Sequence, residues 1–206
     1  MDFGKGRSEF VKSYVKGKKI LDIGCAGSNG FMHKTIIENN KSSEAIVGLD
    51  ADFNNLKKLK GFNNELISAT AEHLPFKDAI FDCIYMGELI EHFWSTHELL
   101  SETNRVLKSG GVICLDTPNV YSINRILRYV LKGTDSLGDP DHKIFYTPAS
   151  LSKLLNTAGF EVIEVTSDAK IKIGFLFIGK EVILNFPPFK WLGSHLCLVA
   201  KKQVVW

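Results

Sequence analysis

The sequence lacks most of the features that assign a protein quickly. No run of 18 apolar residues occurs, so no membrane-spanning helix is expected. The stretch MDFGKGRSEFVKSYVKGKK carries charge throughout and has no apolar centre, unlike a secretory signal. No charge of one sign dominates: the formal net charge is +2, too small to argue for a nucleic-acid surface. The cysteines Cys25, Cys83, Cys114 and Cys197 form no C-x-x-C pair and have no histidine at zinc spacing. They read as reduced small hydrophobes, and the chain as cytoplasmic. Internal repeats and low-complexity tracts are also missing.

What is present fits one α/β domain over residues 1–206, long enough to bury a sizeable core. The runs KKILDI, EAIVGLD, ELISA, FDCIYM and GVICLDT are short and rich in Ile, Val and Leu. Such runs suit parallel strands buried on both faces, with helical segments between them. In STHELLSETNRVLKSGG, Ser95 and Glu98 have capping-box spacing and Gly110 stands as the stop. In TPASLSKLLNTAGF, Thr147 is the expected N-cap, Pro148 the first helical residue and Gly159 the stop. Residues 1–18 read as an N-terminal helix or lid. Residues 118–146 and 169–191 break the rhythm and read as substrate-side insertions.

The chemistry concentrates around ILDIGCAGSNG. Gly24, Gly27 and Gly30 follow an apolar run, so a strand leads into a turn that a ligand can approach closely. Their spacing is G-x-x-G-x-x-G rather than the dinucleotide G-x-G-x-x-G. Ser28 or Asn29 is the expected cap of the helix that follows. Asp50 ends the next strand and can accept hydrogen bonds from both hydroxyls of a ribose, in a nicotinamide or an S-adenosylmethionine site alike. Asp22, two residues before Gly24, separates the two: it ill suits a pyrophosphate and suits a ligand that carries an ammonium group.

LDIGCAGSNG, then VGLD, then ATAEHLPFKDAIFDCIYMGELIEHF, then ELLSETNRVLKSGGVICLDTPN, resembles the class I S-adenosylmethionine-dependent methyltransferases. The order and spacing match from Lys19 to Asn119, and the subgroup is similar to the ubiquinone-biosynthesis O-methyltransferases. DHKIFYTPASLSKLLNTAGFEV extends the likeness. The resemblance implies a Rossmann-like, seven-stranded, mostly parallel sheet with helices on both faces and HLCLVAKK as an antiparallel last strand. It implies S-adenosylmethionine as cofactor and S-adenosylhomocysteine as product. Asp22, Gly24 and Gly27 would surround the methionine part, Asp50 and Ala51 the ribose, and Thr70, Ala71 and Glu72 the adenine. Met86 and Gly87 would close the methionine side. The chain departs from the family at Ala26 (usually glycine), Thr70 (commonly aspartate) and Ser109 (usually proline).

Methyl transfer from a sulfonium needs alignment and, for a hydroxyl acceptor, a base. GELIEHF supplies Glu88, Glu91 and His92 at the presumed mouth, and imidazole is the side chain that titrates near neutral pH. His92 is the catalytic candidate. The cluster has the composition of a divalent-cation site, but no metal is assigned. His142 lies near the substrate mouth by the same resemblance, with Tyr121, Asn124, Arg125 and Tyr146 as further substrate-side residues. No N/D-P-P-Y/F tetrapeptide follows the fourth strand, which weighs against nucleic acid as acceptor. A small-molecule, glycan or lipid-linked acceptor remains, methylated at oxygen. Phe175, Phe177, Phe186, Phe189 and Trp191 leave room for a peripheral membrane contact. The alternatives are a non-catalytic cofactor-binding protein and a nicotinamide-dependent oxidoreductase.

Overall fold

The computed structural model describes residues 5–59, 61, 65–133, 139–168, 170–171, 182–183 and 192–204. Helix α1 spans Lys5–Tyr14, β1 Lys19–Ile23, α2 Phe31–Asn39, β2 Ala45–Asp50, α3 Phe53–Lys58 and β3 Glu65–Ser68. Then follow β4 Phe81–Gly87, α4 His97–Val106, β5 Leu107–Pro118, α5 Ile123–Lys132, α6 Pro148–Thr157, β6 Phe160–Ser167 and β7 His195–Lys202. The seven strands form one sheet in the order β3-β2-β1-β4-β5-β7-β6. Neighbours from β3 to β5 pair in parallel, and β7 pairs antiparallel with both β5 and β6. The antiparallel strand expected at HLCLVAKK is therefore β7. The pairs Lys170–Ile171 and Val182–Ile183 form a separate two-stranded ladder.

Strand period two divides the core into two layers. Ile20, Cys83, Tyr85, Cys114 and Cys197 point to the face covered by Phe10 and Val11 of α1 and Met32 and Ile36 of α2. Leu21, Ile23, Ile84, Met86 and Leu115 point to the opposite face, against Leu99 and Leu100 of α4 and Leu151 and Leu155 of α6. The alternating neighbours in one strand thus belong to different layers, which fixes register on both sides.

Several local expectations change. Helix α4 starts one residue late for a Ser95 cap: Thr96 is its N-cap and makes no side-chain capping bond. Ser95 Oγ does donate to Glu98 Oε2 at 3.1 Å, a contact between the two side chains rather than the side-chain-to-backbone bonds of a capping box. Gly110 does not stop this helix, because Leu107 turns extended and β5 begins there; Gly110 lies within the strand at φ +72°. For α6, Thr147 and Ser150 do form a reciprocal capping box, Pro148 follows the cap, and Gly159 has φ +85° after the helix. Residues 118–146 contain α5, and an Asn119–Tyr146 bridge brings the ends of that stretch together. The aromatic residues of 169–191 singled out above lie outside the described residues. No helix among the described residues is long and apolar enough to cross a membrane.

Candidate active site

The order of the sheet reverses between β1 and β4, and ligands of such sheets bind beyond the strand carboxyl ends at that point. The turn after β1 is tied to β2: the Gly24 and Cys25 N–H groups donate to Leu49 O at 2.8 and 3.2 Å. Gly24 has φ +79°, a conformation open to glycine. Ala26 N–H donates to Asp50 Oδ2 at 3.0 Å and Asp52 N–H to Oδ1 at 2.9 Å, so Asp50 shapes the turn it borders. Ser28 and Asn29 do not cap α2. Both take left-handed φ values, 49° and 54°, and Gly30 at φ 72° is the N-cap, with no side-chain bond. An N-cap side chain reaches its helix from an extended backbone, which this left-handed path precludes.

Beyond the turn lies a cleft of about 900 Å³ lined by Asp22, Gly24, Gly27, Asp50 and Gly87, with His92 and His142 on its wall. Thr70 and Glu72 instead line a neighbouring cavity of about 510 Å³, which shares His92 with the first. Ala71 is buried in the core, and Ala51 is exposed and lines neither cavity. The Met86 side chain is fully buried on the α4 and α6 face and does not line the cleft, whereas its neighbour Gly87 does. Asp22 is 2% exposed and its Oδ2 lies 2.8 Å from His33 Nδ1.

One wall of the cleft is a network of charged groups contributed by five stretches of the chain. Arg7 Nε lies 2.6 Å from Asp116 Oδ1, and Arg7 Nη1 donates to Glu88 Oε2 at 2.8 Å. Tyr85 donates to Asp116 Oδ2 at 2.5 Å. His195 meets Glu88 Oε1 through Nε2 at 3.0 Å and Asp168 Oδ2 through Nδ1 at 2.7 Å. Burial opposes every charge here; the partners prevail at Glu88 and His195, and burial prevails at Asp116. For Glu88, burial works upward, but the His195 hydrogen bond and the Arg7 charge bring its carboxyl down to about 2. For His195, burial works downward, but hydrogen bonds to Asp168 and Glu88 lift the imidazole to about 9. Burial raises the Asp116 carboxyl above its ordinary value against the pull of Arg7.

Glu91 behaves differently. It is fully buried, Thr117 donates to its Oε2 at 2.9 Å, and Oε1 accepts no hydrogen bond among the described residues. Burial pushes its carboxyl up to about 8, with the Thr117 hydrogen bond pulling the other way. His142 Nε2 lies 3.8 Å from Glu91 Oε1, and the His92 and His142 rings meet edge to face at 4.9 Å. Ligand atoms of Glu91, His92 and His142 lie within 4.8 Å of one another, a donor set that suits a divalent cation. Glu88, the third member anticipated from sequence, is turned away to Arg7 and His195. Sequence reasoning also missed Arg7, Tyr85, Asp116, Asp168 and His195. The one available signal was Asp116, a carboxylate ending an apolar strand.

Residues 21–115 match the methyltransferase domain family. The chain is 31% identical over 173 residues to the ubiquinone biosynthesis O-methyltransferase of Bartonella bacilliformis, covering 77% of this chain and 66% of that protein, just under two thirds. An uncharacterized protein of Methanocaldococcus jannaschii is 30% identical over 94% of this chain and 80% of its own length. The crystal structure of an S-adenosylmethionine-dependent methyltransferase from Archaeoglobus fulgidus has the same fold, with a TM-score of 0.68 at 21% identity, covering 97% of each chain. The matched stretch runs from β1 into β5 and carries the glycine turn, so residues 21–115 belong to the methyltransferase domain family.

Proposed function

We propose that the protein transfers the methyl group of S-adenosylmethionine to an oxygen of a small-molecule, glycan or lipid-linked acceptor. The observation that carries this reading is one cleft in which Asp22, the glycine turn and Asp50 face the same space as His92 and His142. Asp22 receives the ammonium group of the methionine part. Asp50, still able to accept after its two backbone bonds, takes the ribose hydroxyls. Gly87 flanks the sulfur end, and Thr70 and Glu72, in the adjoining cavity that shares His92, flank the adenine.

The acceptor oxygen attacks the methyl carbon from the side opposite sulfur; the carbon–oxygen bond forms as the carbon–sulfur bond breaks. Bound in the cleft, S-adenosylmethionine would supply the activated methyl group, with neutral S-adenosylhomocysteine as the product. His92 removes the acceptor proton, with His142 and Glu91 packed behind it. Helix α1 serves as the lid over this chemistry, since Arg7 brings it to the cleft wall.

A lipid-linked acceptor and a peripheral membrane contact gain support from α5. Its Ile126, Leu127, Val130 and Leu131 are exposed, the last two at 70% and 78%, along one face. Arg125 is on another side, stacked 4.3 Å from the Phe145 ring centroid. The helix sequence holds Arg125, Arg128 and Lys132 and no acidic residue, the composition of a helix that lies on an anionic bilayer. The four unpaired, buried cysteines accord with a reducing cytoplasm.

Thermal stability with S-adenosylmethionine, S-adenosylhomocysteine, NAD and NADP tests the cofactor assignment. The two sulfur nucleosides should raise the melting temperature, and Asp50→Ala should abolish the rise. No shift with them, or a shift with NAD instead, sinks the reading. Among hydroxyl acceptors, His92→Ala should lower kcat by about 100-fold or more while keeping the cofactor shift.

A further inference from the structure

We infer that His33 is a positioning residue for the amino-acid end of the cofactor: it holds the Asp22 carboxylate in the orientation that receives the ammonium group. This rests on the proposed binding of S-adenosylmethionine in the cleft. His33 belongs to α2, is fully buried and does not line the cleft, whereas Asp22 does. An ionised carboxylate only accepts, so the 2.8 Å contact is a donation from His33 Nδ1–H to Asp22 Oδ2. That bond leaves Oδ1 as the oxygen available to a ligand.

The surrounding fold makes a place for the ring. Gly48 stands opposite Asp22 in the register of β1 with β2. A Cβ at Gly48 would lie 2.8 Å from His33 Cε1 and 2.9 Å from Cys25 Sγ. The absent side chain in β2 therefore admits the imidazole to the sheet surface beside Asp22. Three elements meet there: β1 supplies the carboxylate, α2 the donor and β2 the space. An Asp22 side chain without this donor would be free to rotate about its own bonds, and would meet the ammonium only after paying an ordering cost. Charge-assisted hydrogen bonds to a carboxylate are among the stronger ones, and their geometry is directional.

A histidine that merely fills the core would affect every ligand alike. A positioning histidine affects only ligands that carry the amino-acid group. The discriminating pair is S-adenosylhomocysteine and 5′-methylthioadenosine, which shares the adenosine and sulfur but has no ammonium or carboxylate. Calorimetric Kd values for both would be measured on the wild type, Asp22→Asn, His33→Leu and His33→Asn. The wild type should prefer S-adenosylhomocysteine. Asp22→Asn and His33→Leu should each weaken it by about tenfold to a hundredfold and leave 5′-methylthioadenosine within about twofold. His33→Asn, whose amide nitrogen stands near the position of Nδ1, should restore most of the preference despite its smaller volume. If His33→Leu does not fold, His33→Gln replaces it: its amide reaches the Nε2 position instead and should lose the preference.

The inference is overturned if the non-donating variant keeps the preference, or weakens both ligands equally. Asp22→Asn losing the preference while His33→Leu keeps it removes the role of His33 and leaves the cofactor site standing. Asp22→Asn keeping the preference removes the assigned role of Asp22, and that of His33 with it. A wild type that binds neither nucleoside overturns the functional proposal itself.

Discussion

A methyl group added at Gly48 would stand 2.8 Å from His33 Cε1, 2.9 Å from Cys25 Sγ and 2.9 Å from Leu66 Cδ2. Alanine ordinarily suits a strand better than glycine, so the sign of the effect is informative. Gly48→Ala is expected to destabilise the protein by about 1–3 kcal/mol through overpacking, read by urea unfolding. Asp22, Gly24, Gly27 and Asp50 were legible in the sequence because their signal is local: a strand end, a turn, a carboxylate at the next strand end. His33 and His195 were not. His33 reaches Asp22 across 11 residues and His195 reaches Glu88 across 107, separations that no periodicity or capping rule encodes. Ser28 and Asn29 misled for a different reason. Both residue types favour N-caps and both tolerate left-handed backbone, and here the second property prevailed.

Helices show the same division between local and distant causes. Thr147 as N-cap and Pro148 after it made the start of α6 readable to the residue, since both groups lie at the helix end itself. The Ser95–Glu98 spacing located α4 but missed its first residue by one. In α5 the apolar residues fall at helical spacing, which ordinarily marks a face turned to the core. The structure turns that face outward. Replacing Val130 and Leu131 together by aspartate should abolish co-flotation with vesicles containing anionic lipid. The melting temperature should hold, because exposed side chains contribute within about 0.5 kcal/mol. Flotation that survives the double change would remove α5 as the membrane contact. A fall in melting temperature would assign the face to a contact within the protein.

Across the molecule, the wall built by Arg7, Glu88, Asp116, Asp168 and His195 joins α1, the residue after β4, β5, the residue after β6 and the start of β7. Its imidazole titrates near 9 in the fold against an ordinary value of 6.5. Between those values the folded state holds the proton more tightly than the unfolded chain. The contribution is therefore complete below about pH 6.5 and is lost as pH rises through about 9. Melting temperatures from pH 6 to 10 should fall more steeply for the wild type than for His195→Gln; equal slopes would show that this group does not set the dependence. The sheet's outline was legible from the order of apolar runs, and its electrostatic wall was not, because that wall exists only once distant strands are side by side. The position of β7 adds a consequence for assembly. Among the described residues, β7 is the only partner of β6 and also seals β5. A growing chain therefore cannot complete this sheet in order of synthesis. The first five strands can pair as they appear, while β5 presents an open edge and β6 waits unpaired, a state prone to self-association until the final strand slides between them.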